Sequence, residues 1–205
     1  MEIRRLPQRL AVSALLLVAL LAGGHPHQVA AQAPASRAQQ ARNAARVLEV
    51  GSARLHIREA TGRNDGPEVE LAQRLAGAKK GDPWCGCEMY MQQRLSGLPW
   101  PKWPAAARNW SLGTDARTFY ITGVRGSLDS IRLGHIVTFY YPNLGRVGHV
   151  GRAVGFSRPV RAGRPVRGFI VRSGNTGRGG GRDGAGVYDV FYPAYSIYAA
   201  SNWLY

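Results

Sequence analysis

The sequence predicts an α+β domain, with helices ahead of an antiparallel β-sheet. Two observations carry that expectation. Between about Asn43 and Leu95, apolar residues recur among Arg, Glu and Gln at helical spacing, and Pro67 and Pro83 stand where first helical residues stand. After about residue 117 the chain turns to short runs rich in β-branched and aromatic side chains, separated by Gly, Pro and Asn as antiparallel strands are. Helices first and strands afterwards in one chain imply segregated layers.

Ahead of that domain, Arg4, Arg5 and Arg9 make a basic start and Leu10 to Ala22 is an almost wholly apolar run of 13 residues. Ala31-Gln32-Ala33 then offers small residues for a signal peptidase. The run is short for a bilayer span, and no cysteine follows it as a lipid-attachment point. Export through a signal at 1–33 is expected, to the periplasm, the wall or the medium, with a retained N-terminal anchor as the alternative. No second apolar run reaches the length of a membrane helix. The mature chain from Pro34 to Tyr205 would be 172 residues, which suits one domain with a sizeable core. Residues 34–43, rich in Ala, Gln and Ser, read as a short leader, and 44–205 as the domain.

Within it, Val47, Leu48, Val50, Leu55 and Ile57 support a first helix over about 43–59, interrupted by Gly51. Asn64-Asp65-Gly66-Pro67 is a turn that opens a second helix through about Leu75. Asp82 as N-cap and Pro83 as first residue start a third, from about Pro83 to Leu95, stopped by Gly97. Residues 98–110 are rich in Pro and Trp and read as a loop with a short helix near 105–109. Strands are expected over 119–121, 135–140, 147–156, 168–172 and 187–192. The low-complexity stretch GRGGGRDGAG (177–186) between the last two reads as a flexible loop, in which Arg178 and Arg182 are available to an anionic ligand.

The formal charge is +15, or about +13 once three Arg and one Glu leave with the signal. Such a charge favours polyanions. For an exported chain those are envelope polymers; solubility of an Arg-rich chain is the plain alternative. Nucleic acid is not expected as a partner, because no nucleic-acid motif is present. The oligomeric state is not specified by the sequence.

Both cysteines lie in GDPWCGCEMY (81–90). A disulfide between Cys85 and Cys87 would close a very small ring, and residues two apart on a helix point to nearly opposite faces. Zinc would need two further ligands, and no compact Cys/His spacing supplies them. No metal and no cofactor is therefore expected. Cys85 falls in the first turn of its predicted helix, where unpaired N–H groups and the macrodipole stabilise a thiolate. A nearby imidazole would move protons for it. His25 and His27 leave with the signal, and His56 sits in the first helix as a surface or boundary residue, which leaves His135 and His149 at the starts of strand-like runs. Ser173 and Asn175 follow in the order expected of a group that orients the base. An inert cysteine packed on a helix is the competing reading of the same residues.

Four local motifs resemble one family. REATGRNDGPEVE (58–70) is similar to its Glu, Gly and Asn-x-Gly-Pro stretch, GDPWCGCEM to its Pro-Trp-Cys box, VGHVGRAV (147–154) to its Gly-His-Val-Gly strand, and SGNTGRGGGRDGAGVY (173–188) to its Glu-Gly-Asn segment with a Gly-rich loop. The family is CHAP, the cysteine- and histidine-dependent amidohydrolases/peptidases of the papain-like, NlpC-type superfamily of cell-wall hydrolases. The resemblance implies a papain-like fold, with the nucleophile helix packed on the C-terminal sheet. It implies Cys85 as nucleophile, His149 as base, Asn175 as its orienting residue and Cys87 as a buried bystander. The implied activity is cleavage of peptidoglycan amides, at the muramoyl–alanine bond or within the stem or cross-bridge, by a metal-free acyl-enzyme route. Trp84 in the box, Ser173, and Trp100 and Trp103 as a stacking platform are candidate substrate contacts, with core packing the competing role for Trp100 and Trp103. The chain departs from the family at Ser173, where Glu is common, and at His135, where Asp is common. Those departures motivate an alternative, a catalytically silent wall-binding module on the same fold. Glu59 and Asp65 fit cap and turn roles better than paired acid/base chemistry.

Overall fold

A computed structural model describes residues 36–205; the expected signal at 1–33 lies outside the described residues. Ser36 caps the first helix by accepting from Gln39 N–H, and α1 runs Arg37–Ala53. The expected leader is therefore mostly helix. Its Ala, Gln and Arg residues are strong helix formers, and the segment is docked: Asn43 Nδ2 donates to Leu204 O and Asn202 Nδ2 to Gln40 Oε1. The same helix stops six residues early, and Ile57 is buried in extended chain beyond it. α2 runs Pro67–Ala76 with Pro67 in its first turn and Gly77 (φ 80°) ending it, close to expectation.

The third helix begins later than its sequence suggests. α3 spans Cys85–Leu95 with Trp84 as N-cap, because the Asp82 carboxylate accepts from Lys79 N–H in a preceding turn. Cys85 is thus the first residue of the helix. Nine consecutive residues of α3, from Cys85 to Gln93, are buried. It has no solvent stripe because α1, α2, β3 and β6 all pack on it.

The strands are β1 (Thr118–Ile121), β2 (Ile136–Tyr141), β3 (Arg146–Ser157), β4 (Val160–Arg161), β5 (Arg164–Pro165), β6 (Gly168–Thr176), β7 (Gly186–Pro193) and β8 (Ala199–Ser201). Six of them form one antiparallel sheet in the order β1-β8-β2-β3-β6-β7, and β4 and β5 form a separate hairpin. The sheet separates two apolar clusters. One joins Trp84, Cys87, Met89, Trp110, Ile136, Val150 and Val187; the other joins Val137, Phe139, Ala153, Phe169, Val171 and Ala200.

Polar side chains tie α3 to its neighbours inside this core. Arg54 grips Glu88 through two bonds of 2.8 Å. Arg152 on β3 donates to Gln92 Oε1 and Gln93 Oε1, each at 2.9 Å, and to Gly134 O at 2.6 Å. Buried groups of this kind are tolerated only when paired, so these bonds fix the axial position of α3 over β3. Among the described residues no helix is long and apolar enough to cross a membrane.

Candidate active site

At the start of α3, the backbone N–H groups of Cys85 and Gly86 favour the Cys85 thiolate, and so does the N–H of Val150 on β3. Gly86 is what permits this seat: a Cβ there would stand 2.3 Å from Ala105 O and 2.6 Å from Pro104 O. Both cysteines are free and buried. Cys87 belongs to the apolar cluster, and burial pushes its thiol up to about 12, so it packs as a small unreactive hydrophobe.

Val150 follows His149 directly. His149 pairs with Phe139 on β2 just where the register slips, leaving Gly148 as the extra residue of a bulge. Bulges re-aim side chains in this way. The His149 ring packs 5.7 Å from Phe139, and its Nε2 lies in hydrogen-bond contact with Ser173 Oγ at 3.1 Å. Its Nδ1 is buried with no partner among the described residues. The thiol and the imidazole therefore meet β3 at adjacent residues without being hydrogen-bonded to one another. Ser173 reaches the ring because β6 comes tight against α3 at the next position: a Cβ at Gly174 would stand 2.6 Å from the Trp84 ring and 2.7 Å from Glu88 Cβ.

The ionisation states depart from expectation. The N–H groups and the Arg182 charge lower the Cys85 pKa, but burial outweighs them and the thiol is raised. Cys85 is only 3 % exposed. Burial, with Arg182 acting in the same direction, pulls His149 down to about 3. Burial thus favours a neutral Cys85 thiol and a neutral His149 imidazole, not the thiolate that a helix start alone predicts.

Asn175 is hydrogen-bonded to neither nitrogen of His149. It adopts φ 53°, and its Nδ2 donates to Arg182 O. The residue on the imidazole is Ser173, buried and so not a surface contact for substrate. Trp84 is not one either: it is fully buried, with Nε1 donating to Glu59 Oε1. Trp100 is half-buried and packs edge-on against Tyr90 at 5.1 Å. Trp103 is 70 % exposed and available. Glu59 and Asp65 do serve turns, accepting from Asn64 N–H and Thr61 N–H. His56 is exposed and joins Ala53 O to Glu68.

His135 lies elsewhere. Its carbonyl accepts from Ala153 N–H, four residues beyond His149 and so roughly 13 Å along the strand. Its Nδ1 accepts from Arg132 N–H, and it lines a groove of about 720 Å³ with Arg37, Gln40 and Leu204. It therefore stands apart from Ser173 and His149. Two groups that act on the thiol were not marked by residue type: the Val150 backbone N–H and the Tyr141 hydroxyl, which burial and neighbours including Cys85 push up to about 12. The bulge that sets them is a matter of strand register.

Comparison with protein-family models, with curated proteins and with solved structures gave no match.

Proposed function

We propose that the chain is an exported cysteine hydrolase of papain-like, CHAP-type architecture that cleaves amide bonds of peptidoglycan. One observation carries the reading. A thiol at the first residue of a buried helix sits under the N–H next to an imidazole whose one nitrogen is engaged by Ser173 and whose other nitrogen is free. With Nε2–H donating to Ser173 Oγ, Nδ1 carries the lone pair and serves as base.

The proton leaves Cys85 Sγ for His149 Nδ1 as sulfur bonds to the amide carbonyl carbon. N–H groups at the start of α3 take the developing oxyanion. The imidazolium gives its proton to the leaving amine, and the C–N bond breaks to leave a thioester. Water then attacks the thioester, with His149 taking its proton, and the C–S bond breaks to release a carboxylic acid and the Cys85 thiol. Peptidoglycan carries carboxylates, which gives the chain's net positive charge a use.

The test is release of soluble fragments from purified peptidoglycan, with mass spectrometry of the products to name the bond. Activity lost in Cys85→Ala and His149→Ala and kept in His135→Ala supports the reading. A second reading is a silent wall-binding module, favoured by the burial of both Cys85 and His149. Folded wild type that binds peptidoglycan and releases nothing across several wall chemistries selects it.

A further inference from the structure

The Gly-rich segment leaves β6 at Thr176 and re-enters the sheet at Gly186, and it is tied at several points. Thr176 Oγ1 donates to Gly181 O, Gly181 N–H to the Tyr192 hydroxyl, and Asn175 Nδ2 to Arg182 O. Gly177 and Gly180 pair across it. These bonds hold the Arg182 backbone against Asn175, two residues along β6 from Ser173. Its charge acts on Cys85, His149 and Tyr141 together.

Other arginines packed into this protein are spent on structure. Arg54 holds Glu88, Arg152 holds two glutamines and a carbonyl, and Arg172 holds Asp189 through two bonds of 2.7 Å. Arg182 differs. Its side chain is 25 % exposed and donates through Nη1 to Asp183 Oδ2 at 2.9 Å, an exposed neighbour in sequence. Its Nε is buried with no partner among the described residues. A guanidinium has five N–H donors suited to a carboxylate, and an exposed ion pair is worth little and easily exchanged.

We propose that Arg182 is a specificity-determining residue that reads a free carboxylate beside the scissile amide, with Asp183 holding the guanidinium until substrate replaces it. This rests on the hydrolase reading for its substrate class. The recognition itself needs only an anion arriving beside Cys85, and so it can be tested without turnover.

Purified protein is alkylated with iodoacetate and with iodoacetamide, a pair alike in size that differs in carboxylate against carboxamide. Cys85 and Cys87 adducts are counted separately by peptide mass spectrometry in wild type, Arg182→Gln, Arg182→Lys and Asp183→Asn. The iodoacetate-to-iodoacetamide rate ratio at Cys85 is expected to fall about tenfold in Arg182→Gln, to be partly kept in Arg182→Lys and to rise in Asp183→Asn. A ratio unchanged in Arg182→Gln overturns the proposal. So does a Cys85 that neither reagent reaches. Neither result depends on hydrolysis, so failure to cleave peptidoglycan condemns the hydrolase reading separately. Where cleavage is found, wild type should prefer native over carbodiimide-amidated peptidoglycan, and Arg182→Gln should erase that preference. Equal loss on both substrates would assign Arg182 to the thiol instead and overturn carboxylate recognition.

Discussion

At Cys85 the start of a helix and the interior of a protein pull one sulfur in opposite directions. Three N–H groups and the Arg182 charge favour the thiolate, burial disfavours it, and burial prevails. Alkylation of Cys85 by iodoacetamide should therefore be slow at pH 6 and climb past pH 9. A thiol that reacts at full rate near pH 6 would mean that the site opens and hydrates in solution. Ser173 sits at the other side of the pair, where its hydroxyl engages His149 Nε2. Ser173→Ala leaves that nitrogen without its partner and the tautomer unfixed. Under the hydrolase reading kcat should fall about 10- to 100-fold, with KM little changed. Activity equal to wild type would remove Ser173 from the site.

At the scale of elements, α3 is the unit that the polar core positions. Arg152→Met keeps the stem volume and removes three donors, stranding Gln92 Oε1, Gln93 Oε1 and Gly134 O. The expected cost is about 3 kcal/mol, read as a Tm lower by roughly 6–12 °C. A loss under one degree would show that water or rearrangement satisfies these oxygens. Gly174→Ala should cost about 1–3 kcal/mol, because its Cβ meets the Trp84 ring and Glu88 Cβ under 3 Å. The same elements show what the sequence could and could not convey. α2, β2, β3 and β7 announced themselves through Pro67 and runs of Val, Ile, Phe and Tyr. β8 did not: Ala199-Ala200-Ser201 has no strand propensity and is held by pairing with β1 and β2. Asp82-Pro83 carried a helix-start signal that a tighter local turn had already used. Cys85 and His149 each stood out by residue type and neighbouring glycines, but their pairing is what the family resemblance implies. Ser173 and Asn175 were both legible as candidates to orient the imidazole, but the choice of Ser173 was not, since it follows from a left-handed Asn175 and from strand register.

For the molecule as a whole, two buried imidazoles couple stability to pH. Burial holds His149 at about 3 and His135 at about 4, the latter also repelled by Arg132 and Arg152. Both are neutral in the folded protein near neutral pH, and both take up protons below about pH 6.5 once unfolded. The unfolded chain then binds protons that the folded chain does not, so stability is full above about 6.5. It declines as pH falls, until the folded values near 4 and 3 are reached. At pH 5 each residue withdraws about 2 kcal/mol. Asp65 and Glu70, held low by hydrogen bonds from the Thr61 hydroxyl and from Lys80, have their effect at lower pH. Urea unfolding at pH 7 and pH 5 should therefore differ by about 4 kcal/mol in wild type. In His135→Asn, whose amide oxygen can still accept from Arg132 N–H, the difference should fall to about half. A midpoint that does not move between the two pH values would mean that water reaches both rings in the folded state. It would also mean that the closed site around His149 opens far more readily than its packing implies.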